Sequence, residues 1–166
     1  ARCQIAQRWW AAQAMTAKII EASICHAEVI AVLHKACFRE IWNERSIAEI
    51  LKMAGAIGLL IGANKKRPQG FILLRVAADE AEIISIGVVP EARKKGLAST
   101  LLLESIKRAV MSNAIKMLFE VAEDNNAARA FYEKFGFQII GRRPGYYRRS
   151  SKNLDALIYS LNISDK

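Results

Sequence analysis

A chain of 166 residues that is 52% hydrophobic is long enough for one domain whose core stands without disulfide or metal staples. Lysine and arginine outnumber aspartate and glutamate by 25 to 16, and the resulting charge of +9 points to partners that carry negative charge, such as a phosphorylated cofactor, nucleic acid, a ribosome or an anionic membrane. The cysteines Cys3, Cys25 and Cys37 form no C-x-x-C pair and have no histidine at ligand spacing, which argues against a disulfide framework or a bound metal, and no apolar run reaches the ~20 residues that cross a bilayer.

Residues 1–14 hold an aromatic pair in Arg8-Trp9-Trp10 and read as an extension or cloning remnant, with Met15 as the natural start and 15–166 as a single domain. Ala17 to Ala22 suits a first strand. Ser23 then offers an N-cap for a helix running to about Phe38, with Val29, Ile30, Leu33 and Cys37 on its apolar face. Cys25, Cys37, His26 and His34 are expected to be packing residues of this helix. A second short helix covers Glu44 to Ala54 and ends at Gly55. Ile57 to Ala63 and Phe71 to Ala77 form a hairpin around the turn-prone 64–68, and Glu82 to Val89 is a strand stopped by Pro90.

Gly96 to Ser112 carries Leu97, Leu101, Ile106 and Val110 at helical spacing, and Met117 to Ala122 returns to strand character. Asn126 to Phe135 is a helix closed by Gly136; Ile139 to Gly141 and Leu154 to Leu161 complete the sheet, with Tyr146 and Tyr147 on the connection between them. This order fits an α/β (α+β) sheet of mixed direction, and neither a doubly wound nucleotide fold nor a barrel. The basic clusters at Lys65, Arg93, Arg142 and Arg148 are dispersed, so each reads first as a solvated loop.

One of these clusters sits where chemistry is expected. Arg93-Lys94-Lys95-Gly96-Leu97-Ala98 opens a helix directly after a strand, and the first turn of a helix presents unpaired N–H groups and the positive end of its dipole. Gly96 lets an anion approach the backbone, and Ala98 keeps the following turn small. Alone, the pattern says only that a pyrophosphate would rest there; the strand before it and the strand and capped helix after it favour a bound cofactor over an ordinary helix start.

The segments Ile86-Gly87-Val88-Val89-Pro90, Arg93 to Ala98, Asn125-Asn126-Ala127-Ala128 and Tyr132-Glu133-Lys134-Phe135-Gly136-Phe137 together resemble the GCN5-related N-acetyltransferase (GNAT) superfamily, over roughly Ala17 to Leu161. The chain is most similar there to the bacterial RimI type, the ribosomal-protein-alanine N-acetyltransferases. The resemblance implies a mostly antiparallel sheet of about seven strands with one splayed parallel pair, flanked by about four helices. It implies acetyl-CoA as co-substrate, with Ile86, Gly87 and Val88 lining the thioester, Lys94, Lys95, Gly96, Leu97, Ala98 and Ser99 supplying amides to the pyrophosphate, and Asn125 contacting the cofactor. It implies Glu120 as general base, Tyr132 as general acid, and Trp42, Tyr146 and Tyr147 around the acceptor.

These roles also make chemical sense from the residues themselves. An α-amino group of pKa ~8 must lose a proton before attacking a thioester, which a carboxylate assists, and the departing thiolate needs a proton that a phenol can give. No cysteine lies near these motifs, which favours direct attack over an acyl-cysteine. Packing alone would also explain Tyr132 beside Phe131 and Phe135, and a salt-bridge partner would explain Glu120. Arg39 to Ser46 falls where relatives have a turn of Phe-Pro-Trp-Ser type, here without the proline. The expected function is acetylation of a protein N-terminus, the alanine of the eighteenth small-subunit ribosomal protein being the implied target, by a cytoplasmic enzyme needing neither membrane nor nucleic acid. Acetylation of a small amine or a lysine side chain is the second reading, and a non-catalytic basic module that binds ribosome or RNA the third.

Overall fold

The apolar runs Ile57 to Ile61 and Phe71 to Leu74 are too short for helices and too continuous for strands with one wet face. In the computed structural model, which describes residues 17–62, 67–148 and 153–164, these runs are the central strands of one sheet, buried on both faces. Among the described residues the order is β1 (Lys18–Ala22), a single 3₁₀ turn, α1 (Ala27–Cys37), α2 (Glu44–Lys52), β2 (Ala56–Gly62), β3 (Gly70–Ala77), β4 (Glu80–Val88), a second 3₁₀ turn at Pro90–Ala92, α3 (Leu97–Met111), β5 (Lys116–Ala122), α4 (Asn126–Lys134), β6 (Gln138–Arg148) and β7 (Asn153–Asn162). The proposed extension at 1–14, the hairpin turn at 63–66 and the arginine at 149 lie outside the described residues.

The strands form a seven-stranded sheet in the order β1-β2-β3-β4-β5-β7-β6. All neighbours are antiparallel except β4 and β5, which run parallel and pair only at Glu80↔Lys116, Ala81↔Met117 and Glu82↔Leu118. The cause of that early parting is in β4 itself. Opposite β3, Leu73 pairs with Ser85 but Leu74 with Ile83, so Ile84 is an extra residue, a bulge that bends the strand just past its last pair with β5. Beyond Glu82 and Leu118 the backbone groups of β4 and β5 that point toward each other have no ladder partner.

Registers also assign the faces. Phe71, Leu73 and Arg75 alternate onto one face of β3, opposite Gly87, Ser85 and Glu82. Rings of α1 and of the segment after it cover this face: His34 and Phe38 lie 6.0 and 6.5 Å from Phe71 between ring centroids. The opposite face, with Ile72, Leu74 and Ile83, lies under α3, which packs across β2, β3 and β4.

Gly87 has its place because α1 sits so close. A Cβ there would come within 2.9 Å of Phe71 Cε1 and 3.0 Å of Cys37 Sγ. Gly87→Ala is therefore expected to lose about 1–3 kcal/mol of stability by overpacking, read by urea unfolding, and a Gly87→Ala/Cys37→Ala double variant should recover part of it. An unchanged midpoint in the single variant would remove this packing explanation.

Helix α1 departs in phase from the repeat expected of it. Its residues before Ala27 form a 3₁₀ turn, Ile24–His26, in which His26 Nδ1 accepts a hydrogen bond from the Ser23 N–H at 3.1 Å. The tighter winding rotates the earlier residues off the buried stripe. Cys25 is exposed and Val29 largely so, while Ala27, Ile30, Leu33 and His34 face inward.

The expected strand at Ile139 to Gly141 is instead the eleven-residue β6, so Tyr146 and Tyr147 belong to a strand and not to a connection. Pro144-Gly145 reads as a turn, but β6 is the edge strand, where a missing N–H costs little. Two irregularities absorb the residues that do not fit the ladder, one between Ile139 and Gly141 and one between Arg143 and Tyr147. Among the described residues no helix is long and apolar enough to cross a membrane.

Candidate active site

The parting of β4 from β5 makes an opening in the sheet. At its β4 end the chain passes through Pro90–Ala92 into the start of α3. Two excursions into positive φ on either side of Lys95, Lys94 at 59° and Gly96 at 80°, fold the backbone into a concave turn. Leu97 is buried and anchors the helix in the core, and no side chain caps its N-terminus. The N–H groups of Leu97, Ala98 and Ser99, in the first turn, therefore have no intrahelical acceptor. The neighbouring cations are less free than the sequence suggests: Arg93 Nε donates to Val88 O at 3.0 Å and Lys95 Nζ to Glu91 O at 3.0 Å. Lys94 is exposed.

On the other side of the opening, β5 alternates. Phe119 faces α4, stacking on Tyr132 at 3.6 Å between ring centroids and on Tyr159 at 5.0 Å. Tyr132 is 4% exposed. Burial pushes its phenol well above the usual tyrosine range, so it stays protonated and able to donate. Asn125 caps α4, its Oδ1 accepting from the Ala128 N–H at 3.2 Å, which leaves its amide NH₂ for any ligand.

Glu120, next along the strand from Phe119, points to the opposite face, with Leu118 and Glu82. It is the face covered by α1 and α2. Glu120 and Tyr132 thus lie on different faces of β5, and only the gap between the strands lets one bound molecule reach both. Leu118, Phe119 and Glu120 line a cavity of about 310 Å³ with Glu82, Arg143 and Ile158. Glu120 Oε1 is 2.9 Å from Arg143 Nη2.

The residues expected around the acceptor come from two parts of the chain. Trp42, in the segment between α1 and α2, stacks on the buried His34 at 4.6 Å and donates its backbone N–H to His34 Nδ1 at 3.4 Å. Tyr146 and Tyr147 meet edge to face at 5.2 Å on β6. Burial raises the Tyr147 phenol, helped by the negative charges of Glu120, Tyr146 and Glu40. Arg143, Glu40 and His34 are the site residues that sequence reasoning passed over. Arg143 was legible only as one of a basic pair, because its partner is two strands away.

His34 makes the acceptor segment sensitive to acid. Desolvation holds its imidazole below the ordinary value, and Nδ1 accepts a hydrogen bond that only the neutral ring can accept. The unfolded chain therefore binds the extra proton more readily, so the stability gained from neutral His34 is complete above ~6.5 and is lost as pH falls below it. Wild-type protein should melt at lower temperature at pH 5 than at pH 7, and His34→Gln, which can accept but not titrate, should lose less over the same interval. Identical pH slopes would exclude His34 as the cause.

Known proteins share both the pattern and the architecture. The profile of the Acetyltransferase (GNAT) family matches residues 27–137. The [ribosomal protein bS18]-alanine N-acetyltransferase of Salmonella typhimurium is 34% identical over 98 residues, covering 59% of this chain and 66% of that one, so the chain spans just under two thirds of that relative's length. Among solved structures, the ribosomal-protein-S18-alanine N-acetyltransferase of Escherichia coli superposes with a TM-score of 0.83 at 24% identity, over 90% of this chain and 95% of that one. The NAA60 of Arabidopsis thaliana, solved in complex with acetyl-CoA, does so at 0.75 and 17%, over 89% and 99%. At these identities the two superpositions speak for the fold.

Proposed function

Because the chain belongs to the acetyltransferase (GNAT) family, we propose that it transfers acetyl from acetyl-CoA to the N-terminal α-amine of a protein, the terminal alanine of the eighteenth small-subunit ribosomal protein being the acceptor. The observation that carries this reading is the gap in the sheet, which joins an amide-lined helix start to a carboxylate on one face and a protonated phenol on the other. A phosphorylated thioester threaded through it would lay its pyrophosphate against Lys94 to Ser99 and its acyl end along Ile86 to Val88, beside the strand amides that β5 leaves unpaired. The thioester supplies the activated acyl group.

The protein's own residues supply orientation and protons. Glu120 takes a proton from the acceptor ammonium. The freed nitrogen forms a bond to the thioester carbon as the carbon–sulfur bond breaks, and Tyr132 gives its proton to the departing sulfur. Asn125 holds the start of α4, and with it Tyr132, beside the gap. Trp42, Tyr146 and Tyr147 form the acceptor's walls, with the negative charge of Glu40 and Glu120 favouring an incoming cation.

Consumption of the acetyl-CoA thioester, followed with an alanine-starting peptide, an amino-blocked peptide with an internal lysine and a polyamine, tests the proposal. Turnover confined to the first supports it. Preference for either of the others transfers the reading to lysine or small-amine acetylation, and no turnover with any acceptor leaves a basic binding module on an acetyltransferase fold.

A further inference from the structure

The carboxylate that would receive the acceptor's ammonium already holds a cation. Arg143 Nη2 lies 2.9 Å from Glu120 Oε1, inside the wall of the cavity that Glu120 lines. The contact is single, and the arginine side chain is 55% exposed. Its neighbour Arg142 differs in kind, contacting two carboxylates, Asp155 at 2.8 Å and Glu123 at 3.5 Å, outside the cavity. Asp155 further accepts the Gly145 N–H at 2.9 Å, so that part of β6 is tied down. Arg142 is held by two carboxylates, whereas Arg143 meets one, Glu120.

The backbone gives that second arginine somewhere to go. Between Arg143↔Ala156 and Tyr147↔Leu154 the ladder places Pro144, Gly145 and Tyr146 opposite Asp155 alone, and Gly145 has φ +62°. This detour brings Tyr146 under the arginine: the guanidinium carbon lies 5.6 Å from the ring centroid, within the range of a cation–π contact. The arginine end of the pair is open to water although Glu120 is 21% exposed, and an ion pair that water reaches is worth little. An arriving ammonium therefore displaces the guanidinium at small cost, and the cation remains over Tyr146 with its planar donors directed at whatever sits beside Glu120.

Resting on the reading of Glu120 as proton acceptor for an α-amine, we propose that Arg143 is the specificity-determining residue for acceptor class. It occupies the ammonium position of Glu120 in the free protein and, once displaced from Glu120 with Tyr146 still beneath it, donates a hydrogen bond to the first carbonyl oxygen of the acceptor. A peptide α-amine carries that carbonyl on the carbon next to the one bearing nitrogen. A lysine ε-amine or a polyamine has only methylene groups there, so it must break the Glu120–Arg143 pair and leave the guanidinium without a replacement acceptor. The arginine thus penalises every amine equally on entry and compensates only the α-amine.

The test compares the full chain with Arg143→Ala and Arg143→Lys variants, measuring kcat/KM for an alanine-starting peptide, its amino-blocked counterpart with an internal lysine, and a primary alkylamine. Arg143→Ala is expected to lower the α-amine to ε-amine preference by about tenfold, the rate equivalent of one charge-assisted hydrogen bond. The peptide should lose rate while the other two hold or gain. Arg143→Lys, which keeps a donor, should restore part of the preference, and melting temperatures should stay at the wild-type value because the side chain is half-exposed. An unchanged preference in Arg143→Ala, or an equal loss on all three amines, overturns the proposal. A wild-type protein that does not prefer the α-amine overturns the functional reading on which it rests, an outcome distinguished from the others by the wild-type measurements alone.

Discussion

Glu120→Gln should lower turnover by about 10²- to 10³-fold, with acetyl-CoA affinity unchanged, because the amide cannot take the acceptor's proton while the cofactor loop lies elsewhere in the site. That loss corresponds to about 3–4 kcal/mol of barrier. The substitution also breaks the ion pair with Arg143, but that pair is largely solvent-accessible on the arginine side and contributes less than about 1 kcal/mol. The two effects separate by size and by readout: single-turnover rates should collapse while the melting temperature barely moves. Wild-type turnover at saturating peptide would show that solvent or another group takes the proton, and Glu120 would then be only a partner for Arg143.

Gly96→Glu should weaken acetyl-CoA binding by about tenfold to a hundredfold. Two terms contribute, and they are separable. Gly96 adopts φ +80°, a conformation that costs an L-residue about 1–2 kcal/mol, so Gly96→Ala should show a modest loss of stability without adding charge. Glutamate adds a negative charge beside the first turn of α3. At an effective dielectric constant of ~20 and a separation of ~8 Å, repulsion between it and one phosphate charge is about 2 kcal/mol before salt screening. Calorimetry on the three proteins should therefore rank affinity wild type, then Ala, then Glu, with the gap between Ala and Glu narrowing at high salt. Equal affinity in all three would remove the helix start from the cofactor site.

How far the sequence could be read depended on the range of the interaction involved. Gly96 at the start of α3 and Pro90 stopping β4 are local signals, governed by backbone preference within a few residues, and they stand where the sequence places them. The mixed direction of the sheet follows from the order of elements and its splayed pair from the resemblance; the structure adds the physical reason for the splay, the bulge at Ile84, which no side-chain pattern announces. Gly87 was expected to line the thioester, and the structure gives it a further reason to be glycine in the close approach of Cys37 and Phe71.

Errors arose where tertiary position overrode a local signal. The strand expected to stop at Gly141 continues at the sheet edge through Pro144-Gly145 and carries Tyr146 and Tyr147. Cys25 was read as continuing the apolar stripe of α1, but a 3₁₀ turn shifts the phase and leaves it exposed. The Glu120–Arg143 pair needs the register of β5, β7 and β6 together. No spacing in the sequence encodes it.

Mass spectrometry of protein N-termini in cells with and without this chain tests the central claim most directly. The account predicts that an acetylated alanine N-terminus on one small-subunit ribosomal protein loses its acetyl group when the chain is removed, and regains it with the wild-type sequence but not with Glu120→Gln. Unchanged N-termini, with acetylation lost instead from lysine side chains or small amines, would contradict it.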